Sequence, residues 1–458
     1  MTLAAVSLDD KYAARSGEIY MTGTQALVRL PMMQHLRDKA AGLDTACMIS
    51  GYRGSPLGNF DRALWQAQRF LETHNVLFRP GVNEDTAATA LWGTQQVGLF
   101  PGAKHDGVFA IWYGKGPGVD RTMDVFKHAN NAGTAPHGGV IALAGDDHVC
   151  ASSTTAHQSE FDFVSAAMPV LNPAGVQEFL DFGLHGWGLS RYAGLWVGFI
   201  CIAETVDSSA IVSVDPHRVA IVPPEDHALP PGGLNVRWPD TPLDQEERLL
   251  EHKLAAARAY GRANRLDRAV IDGPGRRLGI VTTGKSYLDV RQALDDLGID
   301  EELARRSGLA LYKVGMSWPL EPDGIRRFAG GLDEILVVEE KRGFIENQIK
   351  EILYNLPASA RPRVVGKCDE DGRPLLRASG ELDPGGVAQT IAARLARFGT
   401  DERIEARAAH LQARWAESAA AEPAAIERVP YFCSGCPHNS SPRCRRGAAV
   451  SRSIHCAM

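Results

Sequence analysis

Six residues of this chain have the types and spacing to do chemistry: Cys433, Cys436 and Cys456 near its end, Glu84 in GVNEDTAATALWGTQQ (81–96), and Arg53 and Ser55 in GYRGSPLGN (51–59). Four of the eight cysteines fall within residues 433–458, where CSGC sets two thiols close enough to share one metal centre and Cys444 and Cys456 can add ligands. By spacing alone, a zinc knuckle, iron-sulfur ligation and a redox dithiol all fit. Haem attachment is excluded, because Pro437 separates Cys436 from His438. In the Glu84 segment, Gly81 bends the chain, Asn83 can cap a helix, and Glu84 and Asp85 complement the exposed amides of its first turn. Helix capping alone accounts for those types. The small Ala87, Ala88, Ala90 and Gly93 that follow are expected to let another group pack against the Glu84 end, where the carboxyl could share a proton with a ligand nitrogen. The Ser55 hydroxyl, the Arg53 guanidinium and the amides of their glycine turn can together hold an anion such as a carboxylate.

Two further loops are weaker. GKGPGVD (114–120) has neither the GxxxxGK[ST] nor the GxGxxG spacing of a phosphate loop. Asp146, Asp147, His148 and His157 in AGDDHVCASSTTAHQSE (144–160) are metal-ligand types without helical pairing, and a hydrogen-bonded loop is expected.

These residues need elements to position them. Short β-branched runs alternate with helical patterns, the signature of α/β layers around parallel strands. Expected strands run over Thr45 to Ile49, Val108 to Trp112, Gly139 to Ala144 and Leu195 to Ala203, each ending in a polar or glycine-rich turn where ligands of open α/β sheets bind. The Pro and Gly rich stretch 223–242 interrupts the pattern, and a helix is expected over 246–262. A second α/β set follows, with strands over 278–282, 309–314 and 334–338 and helices near 287–297 and 344–354. The Ala, Glu and Arg rich segment 389–427 reads as one or two surface helices. With 458 residues, two or three domains are expected. Lys+Arg of 49 against Asp+Glu of 55 gives a net charge of -6, which offers no global attraction to nucleic acid or to an anionic membrane. No apolar run approaches the ~20 residues of a membrane helix. Cys47, Cys150, Cys201 and Cys368 are scattered as reduced thiols would be, so a cytoplasmic protein is expected.

Dense strings carry a resemblance: SGYRGSPLGNFD (50–61), RPGVNEDTAATALWGTQQ (79–96), YGKGPGVDRTMDVFKHAN (113–130), GGVIALAGDDHVCASSTTAHQSE (138–160), TTGKSYLDVRQAL (282–294), KVGMSWPLEP (313–322), LVVEEKR (336–342) and PYFCSGCPHN (430–439). Through them the chain resembles the N-terminal part of the fused bacterial indolepyruvate ferredoxin oxidoreductases, a thiamine-diphosphate 2-oxoacid oxidoreductase family. The resemblance implies a pyrimidine-type thiamine-diphosphate-binding α/β domain (1–240), a linker and covering helix (241–275), a transketolase C-terminal-like α/β domain (276–398), a helical linker (399–429) and the opening of a diphosphate-binding, iron-sulfur domain (430–458). It implies that Glu84 hydrogen-bonds N1′ of the cofactor's aminopyrimidine and that Ser55, with Arg53 beside it, faces the substrate carboxylate. Cys433, Cys436 and Cys456 resemble ligands of a 4Fe-4S cluster, which favours iron-sulfur over zinc. Mg2+ would come through the diphosphate-binding domain. The implied reaction is oxidative decarboxylation of an aryl 2-oxoacid such as indolepyruvate, with coenzyme A taking the acyl group and ferredoxin the electrons.

Family members continue beyond this point, so the chain is expected to be incomplete and inactive alone, working as a homo-oligomer or with a complementing diphosphate-binding chain. The competing reading is a non-catalytic remnant or interaction subunit. Relatives read close to VPEGS where this chain has RCRRG (443–447), and a local shift of reading frame would account for the difference. That shift would make Cys444 accidental and put Cys456 in question.

Overall fold

A computed structural model describes residues 6–150, 155–399 and 401–420. Eight strands come first: β1 (Glu18–Thr22), β2 (Thr45–Gly51), β3 (Val76–Phe78), β4 (Gly107–Lys115), β5 (Val140–Asp146), β6 (Val170–Leu171), β7 (Trp196–Ile202) and β8 (Ser209–Ser213). Six more follow: β9 (Arg268–Ile271), β10 (Leu278–Thr283), β11 (Leu309–Val314), β12 (Met316–Trp318), β13 (Glu334–Val338) and β14 (Arg363–Val365). They form a seven-stranded sheet in the order β12-β6-β7-β5-β4-β2-β3, a five-stranded sheet in the order β14-β13-β10-β11-β9, and the small ribbon β1-β8. Within the large sheet every pairing is parallel except that of β12 with β6; in the smaller one only β9 runs against its neighbour β11.

Parallel strands are joined by crossovers that lay helices on both faces, so their residues must be apolar throughout. The central strands show this directly. Phe109, Ile111 and Tyr113 of β4 and Ile141 and Leu143 of β5 enter the core on one face. Their neighbours Ala110, Trp112, Val140, Ala142 and Ala144 enter a separate core on the other. The smaller sheet divides in the same way, with Ile280 and Leu311 on one face and Val281, Ala310 and Tyr312 on the other.

The strands read from the sequence are present at their expected places: Leu309–Val314 and Glu334–Val338 have the expected bounds, Gly107–Lys115 is longer than expected and Trp196–Ile202 shorter. The helix expected over 246–262 is continuous but not uniform: α-helix Pro242–Glu247, a π-helical turn Arg248–Lys253, then α-helix Leu254–Ala263. The expected 389–427 segment differs more. Its first helix, Pro384–Leu395, starts earlier, capped by Asp383, and buries Val387, Ile391 and Leu395 against the smaller sheet, so it is a core helix; the second is Glu402–Ala420. Antiparallel edge strands β9 and β12 carry no periodicity long enough to read, and β12 extends the large sheet from within the later stretch of chain.

One ion pair ties the smaller sheet to its covering helix. Glu334 opens β13 with no exposed surface and accepts a fork of hydrogen bonds from Arg394, Nε at 2.6 Å, while Arg394 also reaches Glu370 at 2.9 Å. Removing Arg394 would leave Glu334 only Arg363, at 3.4 Å, and breaking such a buried pair costs up to about 3–5 kcal/mol. Arg394→Met is therefore expected to lower the urea-unfolding free energy by about that amount; a loss under ~1 kcal/mol in equilibrium denaturation would show the pair to be solvated.

Candidate functional site

Because β2, β4, β5 and β7 are parallel, the turns that leave them gather along one edge of the large sheet. The turn after β2 and the one after β3 are stitched together by Arg79 N–H to Ile49 O (2.9 Å) and Gly81 N–H to Gly51 O (2.8 Å). A side chain at Gly81 would strike Asn83 O and Ala87, and one at Gly51 would strike the Tyr113 carbonyl, so glycine is needed for this close approach.

The chain then enters helix Glu84–Thr94 through a reciprocal cap: the Asn83 side chain accepts from Thr86 N–H (2.8 Å), and the Thr86 hydroxyl accepts from Asn83 N–H. Asp85 turns outward to pair with Arg121 (3.1 Å). Glu84 turns inward and is 8 % exposed. Its carbonyl accepts from Trp112 Nε1 (3.1 Å). Its side chain lies over the backbone of Gly118, where a Cβ would come within 2.8 Å of Oε1. Among the described residues the Glu84 carboxylate makes no hydrogen bond or ion pair. Of the small residues expected to clear its surroundings, Ala87 and Ala88 are buried against the sheet, whereas Ala90 and Gly93 face solvent and clear nothing. The reason is helical phase: the buried stripe runs through Glu84, Ala87, Ala88 and Leu91, at i, i+3, i+4 and i+7, and Ala90 and Gly93 fall outside it.

Ser55 is half-buried and Arg53 exposed in the same turn. The alkyl stem of Lys115, at the end of β4, runs within 2.9 Å of where a Gly54 Cβ would stand, so a second cation shares this end of the site. Sequence reading quoted Lys115 only as part of a string; its position after a central strand was the available signal. Beneath them Asp61 is buried beside Tyr113, and burial pushes its carboxyl above the usual range while Tyr113 and Arg53 pull it back.

The described residues at the two ends of the 144–160 segment are tied by hydrogen bonds, as expected. Buried Asp146, the last residue of β5, accepts from Ser159 N–H (2.8 Å) and Oγ (2.6 Å) and faces His157 Nδ1 at 3.4 Å. His157 Nε2 faces Asp120 at 2.9 Å, and its ring packs on Gly116, at the start of helix Gly116–Ala132. Burial alone would lower the His157 pKa, but the hydrogen bonds and charges of Asp146 and Asp120 outweigh it and hold the pKa up at about 9. Ligand-type atoms of Asp120, His157 and Asp162 lie within 4.8 Å of one another. The protonated imidazole already supplies the positive charge between these carboxylates, so the cluster is satisfied as an ion-pair network. GKGPGVD is thus a strand-to-helix turn whose Gly116 receives His157 and whose Gly118 receives Glu84.

The carboxyl ends of the two sheets meet here as well. Lys341, in left-handed backbone (φ 54°), donates to His148 O. Glu160 and His148 line one crevice with Thr283, Lys285 and Glu339. Burial, then the charge of Asp146, raises Glu160 to about 8, and burial raises Glu339 to about 7. Cys433, Cys436, Cys444 and Cys456 lie outside the described residues. Cys47, Cys150, Cys201 and Cys368 are free thiols, and no helix among the described residues is long and apolar enough to cross a membrane.

Known proteins are similar to this chain in sequence and in fold. Residues 268–418 match the indolepyruvate oxidoreductase domain. Two IorA subunits of indolepyruvate oxidoreductase are similar over nearly the whole chain. That of Methanothermobacter thermautotrophicus is 24% identical over 95% of this chain and 61% of its own length. That of Archaeoglobus fulgidus is 24% identical over 95% of this chain and 62% of its own length. The chain therefore spans about three fifths of these relatives. Among solved structures, the 2-oxoglutarate:ferredoxin oxidoreductase of Magnetococcus marinus superimposes with a TM-score of 0.53 at 14% identity, covering 82% of this chain and 65% of that one. That likeness bears out the fold class, α/β domains built on parallel sheets. By its motifs, its domain match and its similarity along almost its full length, the chain is similar to the indolepyruvate oxidoreductase IorA subunits.

Proposed function

We propose that this chain forms the pyrimidine-binding part of a cytoplasmic, thiamine-diphosphate-dependent oxidoreductase that oxidatively decarboxylates aryl 2-oxoacids such as indolepyruvate, with coenzyme A as acyl acceptor and ferredoxin as electron acceptor. The observation that carries this reading is Glu84. Its carboxylate is buried at the carboxyl edge of a parallel sheet, uncommitted among the described residues, above a backbone stripped of side chain at Gly118. A carboxylate so placed has its full capacity to accept one strong hydrogen bond from a ring N–H. The donor set therefore fits the aminopyrimidine of thiamine diphosphate.

When bound, the cofactor supplies the carbon nucleophile and electron sink that decarboxylation of a 2-oxoacid needs. The chain's own residues hold and orient. Glu84 keeps a proton at the pyrimidine nitrogen. Ser55 and Arg53, with Lys115 beside them, present one hydroxyl and two cations to the substrate carboxylate. His157 braces the turn on which Glu84 rests: its ring fills the space over Gly116 while its two nitrogens are fixed by Asp146 and Asp120. The diphosphate and its Mg2+ are held by a diphosphate-binding domain, on this polypeptide or a complementing one, and Cys433, Cys436 and Cys456 are assigned to a 4Fe-4S cluster.

In the protein assembled with its diphosphate-binding domain, Glu84→Gln is expected to reduce arylpyruvate-dependent dye reduction by about 10²–10⁴-fold with an unchanged Tm. Turnover within a factor of two of wild type would refute the role given to Glu84.

His157 makes a second prediction from the chain alone. Its pKa is raised on folding from 6.5 to about 9. The stabilisation it contributes is complete below about pH 6.5 and is lost as pH rises through about 9. Tm measured between pH 6 and pH 9.5 should fall more steeply for wild type than for His157→Gln; parallel curves would mean that His157 carries no such charge.

A further inference from the structure

A polar cavity of about 550 Å³ opens between the end of helix Leu254–Ala263, strand β9 and helix Pro322–Ala329, and none of its lining residues belongs to the turns around Glu84. Five arginines and three carboxylates line it. Two of the carboxylates, Glu321 and Asp272, are committed. Glu321 caps helix Pro322–Ala329 through Asp323 N–H (3.1 Å) and Gly324 N–H (2.6 Å) and meets Arg262 at 3.2 Å. Asp272 pairs with Arg276 at 3.1 Å. Asp267 accepts from Gly315 N–H (2.8 Å) and Met316 N–H (3.0 Å) through one oxygen, leaving Oδ2 buried and without a partner.

The arginines are not all committed. Arg268 has only Glu178, at 3.9 Å. The side chains of Arg265 and Arg327 make no hydrogen bond or ion pair among the described residues. Arg265 is also held in left-handed backbone (φ 51°) immediately after the helix, a position where glycine is the strain-free choice. A long cationic side chain is therefore kept at a point where the backbone would favour having none.

We propose that this cavity binds a small phosphate-bearing anion. Arg262 is already answered by Glu321 and Asp226, Arg276 by Asp272 and Arg268 by Glu178, which leaves the Arg265 and Arg327 guanidinium groups to meet a phosphoryl group. Guanidinium forks suit the several oxygens of a phosphoryl group. The free Oδ2 of Asp267 can accept from a ligand hydroxyl, and the volume lies in the range of small-molecule sites.

Calorimetric titration of the 458-residue chain with inorganic pyrophosphate and with ADP, at low and at moderate salt, tests this. One-to-one binding that weakens with salt is expected. Tighter binding of ADP would assign the ligand to nucleotides, and equal binding to the phosphoryl group alone. Arg327→Gln should weaken binding at least tenfold. Arg265→Gly should weaken it comparably while raising Tm, a combination that a folding defect cannot produce. Arg373→Gln, on an exposed loop, should change nothing. Absence of binding by both probes at millimolar concentration, or wild-type affinity in the Arg265→Gly, Arg327→Gln double variant, would overturn the proposal.

Discussion

Parallel pairing of β2, β4, β5 and β7 is the constraint on which the rest of the structure depends. It forces each strand to hand over to a helix at the same edge, and it requires both faces of the sheet to be covered. The first consequence sets Gly51, Glu84, Lys115, Gly118 and Asp146 side by side although nearly a hundred residues separate the first from the last. The second makes the strand interiors wholly apolar and leaves the edge as the place where polar chemistry can be housed. The smaller sheet obeys the same rule, and its carboxyl edge abuts that of the larger, so Thr283, Lys285, Glu339 and Lys341 meet His148 and Glu160.

Glycine decides how closely these turns approach. Gly51 lies against the Tyr113 carbonyl, Gly116 under His157 and Gly118 under Glu84. A side chain at Gly51 would push its turn off the Tyr113 carbonyl, and one at Gly116 or Gly118 would displace the His157 ring or the Glu84 side chain. The buried polar groups then need partners. Asp146 finds Ser159 and His157, and Lys341 finds the His148 carbonyl. The Glu84 carboxylate finds none among the described residues. Other buried carboxylates, Glu160 and Asp267 among them, also keep one oxygen without a partner, so it is the place of Glu84 at the carboxyl edge of the sheet on which the proposed reading rests.

Legibility in the sequence followed the range of the forces involved. Strands such as Leu309–Val314 and Glu334–Val338 were readable because their apolar runs are local and bounded by turns. The cap at Asn83 was readable for the same reason, being closed within four residues. Strand β12 was not, since three residues carry no period and its partner β6 lies far away in sequence. The end of helix Pro384–Leu395 read as surface helix because it opens the Ala, Glu and Arg rich stretch 389–427; Arg394 is buried only because Glu334 awaits it across the sheet. The exposure of Ala90 and Gly93 was likewise a matter of helical phase against a sheet the sequence does not display.

By itself, then, the sequence determined the α/β class, the order of the strands along the chain, the capped start of the Glu84 helix and, through its strings, the family it resembles. Each of these is set by neighbours within a dozen residues. Tertiary structure alone decided that Glu84 is inward and Asp85 outward, and that His157 answers to Asp120 as well as Asp146. It also decided that Lys115 shares the turn of Arg53 and Ser55, and that Arg265 and Arg327 face one cavity. Those outcomes depend on which distant segments the parallel sheet brings together, and on where burial removes the water that would otherwise satisfy each charge.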